Sequence, residues 1–390
     1  MIYIGKPYID RENEWTRLCS DVEIGGKQST MWIAVEPEYE KYLTVERADA
    51  FVVALLTAAM TRGEDITCDG YITRRLKYQI NQYLIPSLAS NMESYHPIKV
   101  IGDCADDKLE CENAVATGWT GGVDCMFTLF NHSSLNSDVK ITHLMVANNG
   151  AIEGGKFNKI FTKMLNKAKT GVAADYGLKV VGIDSNLHLV LNESFLKVSD
   201  FRHAASILAL QKLFGVYLNS ASYEFEALKF VPENCSYYEL LLMQCFETDC
   251  TVFYSSGGHT PRIMKLKQME DFGPAQKYLH PCIYATRDNC GICGKCIRTQ
   301  GGLFALGILD KFGDVFDLNA FEENKDTIFR QIIANRNNNK HCDEILQLLA
   351  DSNDNFIQNM MRKEKTLNVV VTVAMRFQKQ NKDKESKGEA

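Results

Sequence analysis

The 390-residue chain has no basic excess: 43 Lys and Arg face 49 Asp and Glu, a formal charge of −6. A protein dedicated to gripping nucleic acid draws its phosphate affinity from such an excess, so nucleic acid is not the expected partner. Long apolar runs are missing as well. The longest, Phe51 to Met60, has ten residues, where a membrane-spanning helix needs about 20. The opening Met1-Ile-Tyr-Ile-Gly-Lys6 lacks the basic-then-apolar order of a secretion signal. These absences predict a cytoplasmic protein with no membrane partner. Thirteen cysteines do not make a disulfide framework here, because their number is odd and the chain is long. Cys19, Cys68, Cys104, Cys235 and Cys342 read instead as small apolar core residues. Internal repeats are absent.

What is present divides along the chain. Residues 1–105 read as an α+β accessory module with strands at Met31–Glu36, Asp65–Ile72 and Pro97–Gly102. Its expected helices are Ala48–Met60, ending at Gly63, and Thr73–Leu84, ending before Pro86. No catalytic constellation falls in it. After the acidic stretch Asp103–Glu112, strand and helix patterns alternate from Asn113 to Met269, which predicts a parallel sheet covered on both faces. Ligands of such sheets lie beyond the carboxyl ends of the strands. The expected domain covers residues 106–310, followed by a helical region at 311–377 and a polar, disordered tail at 378–390.

Two motifs carry chemistry. The first is Gly118-Trp-Thr120-Gly121-Gly122-Val123-Asp124-Cys125, after a strand and before a helix. Amides of Gly121, Gly122 and Val123 can wrap a phosphate where the helix dipole favours an anion, and Thr120 adds a hydroxyl. Asp124 would be repelled by phosphate, so a metal contact or a capping role suits it better. The loop ends without Gly-Lys-Ser/Thr and is not of the Walker type. The second motif is Cys282-x7-Cys290-x2-Cys293-x2-Cys296. Four thiolates at this spacing close a tetrahedral Zn2+ site with no position left for water, so the metal would be structural. An iron–sulfur cluster is the competing occupant. His280 is an alternative to Cys282 as a ligand, and Lys295 and Arg298 either reach a phosphate or offset the thiolate charge.

Thr120-Gly-Gly-Val-Asp-Cys125 resembles the Ser-Gly-Gly-x-Asp-Ser loop of the PP-loop ATP pyrophosphatase superfamily. The cysteine order, followed by Arg298 and Gly302-Leu303, is similar to that of 7-cyano-7-deazaguanine synthase-like proteins of the queuosine pathway. The likeness spans roughly residues 111 to 310. It implies a HUP-type α/β domain that binds ATP and Mg2+, adenylates a carboxylate or oxo group with release of pyrophosphate, and lets a nucleophile such as ammonia displace AMP. Asn148 would then stand near the adenosine, and Thr120 and Asp124 would be the catalytic residues of the loop.

The likeness is incomplete. Cys125 replaces a serine, which leaves either a loop substitution or a reactive thiolate. The deazaguanine pocket has no clear counterpart, so the substrate is left as a small-molecule or protein/peptide acid. A homodimer stays open. Sulfur transfer to tRNA and a non-catalytic nucleotide-binding scaffold are the other readings. Weaker candidates are His259 in Ser255-Ser-Gly-Gly-His259, Asp184 and Asn186 after the third strand, and Arg202 and His203 in a solvated or capping role.

Overall fold

The computed structural model describes residues 1–12, 14–133, 136–151, 157–284, 288–351 and Met360. Eleven strands form one sheet: β1 (Ile2–Ile4), β2 (Tyr8–Glu12), β3 (Trp15–Ile24), β4 (Lys27–Val35), β5 (Ile66–Ile72), β6 (Val100–Cys104), β7 (Ala114–Gly118), β8 (His143–Asn148), β9 (Lys179–Ser185), β10 (Phe214–Ser220) and β11 (Val252–Ser256). Their order is β11-β10-β7-β8-β9-β4-β3-β1-β5-β6, with β2 paired to β3. The fold is α/β with a mostly parallel sheet, compatible with a Rossmann-like arrangement.

The five strands from β7 to β11 are parallel throughout. Helices cover both faces of such a sheet, so its strands read as apolar runs rather than alternating ones. β8 and β9 obey this, with only one or two residues of each reaching solvent. β5 alternates buried and exposed positions along its second half. Counted from β7, the parallel order is 5-4-1-2-3, so the chain reverses direction across the sheet between β7 and β10. A ligand crevice opens at such a switch point, outside the carboxyl ends of the strands.

The sheet does not stop at residue 105. β4 pairs antiparallel with β9 through Ile33–Ser185 and Val35–Ile183, so the amino-terminal strands extend the same sheet. One apolar cluster correspondingly runs from Ile2 to Phe253. Its centre is helix Asp49–Arg62, apolar on nearly every side, which packs on helix Phe195–Leu208 and ends on Gly63 at φ 65°. A second cluster, Val115 to Leu349, joins the glycine-turn helix to helices Gly294–Ala305, Leu318–Asn335 and Lys340–Asp351.

Three local features go beyond or against the sequence expectations. β1, β2 and β3 had no clear sequence signal, and two of them are short or polar. The helix expected to stop before Pro86 continues through it. A π-helical turn at Ile80–Leu84 widens the ladder just ahead of the proline and absorbs its missing N–H. Cys111 and Cys250 form a disulfide with Cα atoms 6.0 Å apart, which links the entries of β7 and β11. The end of the helical region expected at 311–377, from residue 352 onward, and the tail at 378–390 lie outside the described residues, apart from Met360.

Candidate functional site

The glycine turn sits at the switch point. β7 ends on Gly118, where an added Cβ would meet the Tyr217 hydroxyl at 3.2 Å. Gly118 therefore serves close packing. Gly121 adopts φ +77°, open to glycine and costly for other residues. Its carbonyl accepts from the His280 N–H at 2.6 Å. Gly122 is the extended residue that opens helix Val123–Asn131, and no side chain caps this end. The first amides of a helix have no partner within it, so this terminus is free to meet an anion. Gly122 N–H points at the Thr120 hydroxyl, 3.3 Å away.

Cys125 is buried, and its Sγ donates to the Gly122 carbonyl at 3.2 Å. Burial pushes its thiol pKa up, which favours a neutral loop residue over a thiolate nucleophile. Asp124 neither caps the helix nor stands free. Its two oxygens accept from Arg262 Nη1 at 3.0 Å and Lys265 Nζ at 2.8 Å. Burial alone would raise the Asp124 pKa, but these two cations outweigh it and lower it. Lys265, whose side chain is 4% exposed, also donates to the Ala221 carbonyl at 2.9 Å.

A third cation stands close by. Arg298 follows Cys296 by two residues on helix Gly294–Ala305, and its Nε is buried without a hydrogen-bond partner. Burial and the nearby Arg262 charge both lower its pKa. Such a crowded, incompletely paired guanidinium is costly unless an anion shares the space. Arg262, Lys265 and Arg298 thus converge on the start of the glycine-turn helix.

Beneath lies a buried acidic floor that sequence reading missed. Glu239 accepts from Ser255 Oγ and from Asn219 Nδ2, the latter at 3.0 Å. Burial and the neighbouring Asp200 charge raise its pKa to about 8. Asp200, itself raised by burial, accepts from the Ser236 hydroxyl and Cys235 thiol, each at 3.3 Å. Both acids flank the carboxyl end of β10. The apolar stretch Tyr237–Met243 hides Glu239 as an ordinary helix start, and only the fold shows what it faces.

The other sequence candidates divide. Asn148 is 3% exposed, and its amide donates to Asp184 at 2.6 Å. Its Oδ1 is shielded and has no partner. Residues 152–156, just beyond, lie outside the described residues. Asp184 is thus engaged by Asn148 and Ser185, and Asn186 pins β4 by accepting from Trp32 N at 2.8 Å. His259 is exposed at the rim. Arg202 is not solvated: it is 1% exposed and donates to the carbonyls of Asn149 and Glu193. A cavity of about 40 Å³ beside the turn, lined by Trp119, Gly121, Met164, Tyr278 and His280, has room for water but not for a nucleotide.

The four cysteines do come together, with all four sulfurs within 4.8 Å of one another. Amides steady them. Tyr284 N–H donates to Cys282 Sγ at 3.4 Å, Cys293 N–H to Cys290 Sγ at 3.3 Å, and Cys296 N–H to Cys293 Sγ at 3.5 Å. Gly291 at φ +71° makes the turn, and Asn289 braces the loop by donating to Leu279 O and Val315 O, each at 2.9 Å. Burial opposes ionisation of Cys293, but the amides of Ile283 and Cys296 prevail and lower it to about 6. Four converging sulfurs with amide donors fit a tetrahedral ion. His280 points its backbone at the glycine turn and is not in this group.

Comparison of the chain with protein-family models, with curated proteins and with solved structures finds no significant match. The family resemblance therefore rests on the two motifs alone.

Proposed function

We propose that the chain is an ATP-dependent, AMP-forming ligase that holds the nucleotide's phosphates on the 120–125 turn. The observation that carries this reading is the convergence of Arg262, Lys265 and Arg298 on an uncapped helix start at the switch point of the sheet. Backbone amides and three cations are the groups needed to stabilise a departing pyrophosphate. An oxygen of the acid substrate attacks the α-phosphorus, the α–β bridging bond breaks, and pyrophosphate leaves with the electron pair. Ammonia then displaces AMP from the adenylate.

In this reading Asp124 acts as a positioning residue, holding Arg262 and Lys265 where the phosphates arrive. Both its oxygens are taken by cations, so it offers no free carboxylate to Mg2+, which would come with the nucleotide. Glu239 is buried and keeps its proton up to about pH 8. It is already protonated at neutral pH, and the proton lost by the attacking ammonia passes to solvent. Cys282, Cys290, Cys293 and Cys296 would hold Zn2+, which supplies a structural cross-link between the loop and helix Gly294–Ala305. Sulfur transfer gains no support from Cys125, whose thiol is buried and held neutral.

Pyrophosphate release measured with ATP, ammonium and a panel of acids tests the proposal. Release that requires both an acid and Arg262 supports it. Failure to bind ATP at millimolar concentration ends it.

A further inference from the structure

Glu224, His341 and Glu344 bring an imidazole nitrogen and two carboxylate oxygens within 4.8 Å of one another. Two separate pieces of chain build this group. Glu224 follows β10 on a loop pinned where Phe225 N–H donates to the Gly258 carbonyl at 2.8 Å. His341 and Glu344 stand one turn apart on helix Lys340–Asp351, on one face by their spacing. The Asn339 side chain fixes the start of this helix by accepting from His341 N–H at 3.1 Å.

The arrangement has an unmet need. His341 Nδ1 and Glu344 Oε2 are 3.6 Å apart, both shielded from solvent, and neither has a hydrogen-bond partner. That separation is too long for a hydrogen bond, and buried acceptors without donors are costly. It is close to the spacing of two donors on one ion, about 3 to 3.5 Å for bonds near 2.1 Å. Lys340 meets part of the charge, at 3.3 Å from Glu224 and 2.6 Å from Glu226. Glu224, Glu226 and Glu344 with Lys340 leave two negative charges, the complement of one divalent cation.

We propose that Glu224, His341 and Glu344 bind a divalent transition ion of the Mn2+ or Zn2+ kind, at a centre separate from the four cysteines. One imidazole and two carboxylates suit these ions, while the thiolates favour Zn2+ and softer ions over Mn2+. Three protein ligands leave coordination positions open, so the ion exchanges with solvent and is accessible to a ligand. Helix Lys340–Asp351, which carries His341 and Glu344, packs on helices Arg262–Gln268 and Gly294–Ala305, the two that carry Arg262, Lys265 and Arg298. The site brings the carboxyl-terminal helices into the functional centre and does not depend on the nucleotide reading.

Mn2+ is the probe, because thiolates bind it weakly and the cysteine cluster stays silent. The full chain, with its cysteine-bound metal in place and no nucleotide, is titrated with Mn2+ and followed by electron paramagnetic resonance. One ion per chain is expected, with affinity at least about tenfold weaker in both His341→Gln and Glu344→Gln. Lys340→Ala, which removes the competing ammonium, is expected to tighten binding. No binding at millimolar Mn2+, or equal binding in wild type and both variants, overturns the site. So does an imidazole signal of His341 that titrates as a simple ion pair with Glu344 and ignores the metal.

Discussion

The backbone N–H of His280 donates to the carbonyl of Gly121 across 2.6 Å, joining the approach to the cysteine cluster to the glycine turn. The two motifs are about 160 residues apart in sequence and form one structural unit. Gly121 makes this bond at φ +77°, and an added Cβ would also lie 3.0 Å from the Cβ of His280. Gly121→Ala is therefore expected to cost about 1–2 kcal/mol through the left-handed backbone alone. It should also loosen the docked segment, read as faster amide exchange at His280. Unchanged stability and exchange would separate the two motifs.

Asp124→Asn removes the negative charge that pairs Lys265, almost fully buried, and leaves it only neutral acceptors such as the Ala221 carbonyl. Removing one partner of a buried pair costs about 3 kcal/mol. The carboxylate is a quarter exposed, which keeps the loss at the low end for a buried pair. Urea unfolding measures the loss. Asp124→Asn combined with Lys265→Met should recover most of it, and a double variant no better than the single one would contradict the pairing.

Glu239 gives stability a pH dependence of defined sign. Its pKa rises from 4.5 in the unfolded chain to about 8 in the folded one. Between these values the folded chain keeps a proton that the unfolded chain has released, so stability falls as pH rises. Glu239→Gln should remove this slope, raising the melting temperature relative to wild type more at pH 8 than at pH 5. A variant that loses stability on alkalinisation as steeply as wild type would contradict the assignment.

Cys290→Ser should release the metal from the purified chain and destabilise the carboxyl-terminal helices by more than about 4 kcal/mol. Elemental analysis beside thermal unfolding reads both effects, and the same analysis separates zinc from iron. Metal retained at wild-type stoichiometry would show that the four sulfurs do not share an ion.

Much of this was legible in the chain before folding. The spacing of Cys290, Cys293 and Cys296 foretells their convergence, because two-residue steps and intervening glycines permit few other geometries. The β7 to β11 alternation is legible because parallel strands must be apolar along their length. The acidic floor was not, since Asp200 and Glu239 meet only when β10 and its neighbours are in place. The partners of Asp124 were hidden for the same reason: Arg262 and Lys265 arrive from 138 and 141 residues away. The extension of the sheet through β4 escaped notice because an antiparallel pairing between Ile33 and Ser185 has no local signature.

Arg298 provides the sharpest test of the anion site at the glycine turn. Equilibrium binding of ATP, pyrophosphate and adenosine is compared in wild type and Arg298→Ala. The account expects wild type to bind ATP and pyrophosphate but adenosine only weakly. It expects Arg298→Ala to lose at least about tenfold in affinity for the two anions while keeping its metal and its stability. Equal affinity for ATP in both proteins, or no affinity in wild type, would contradict it.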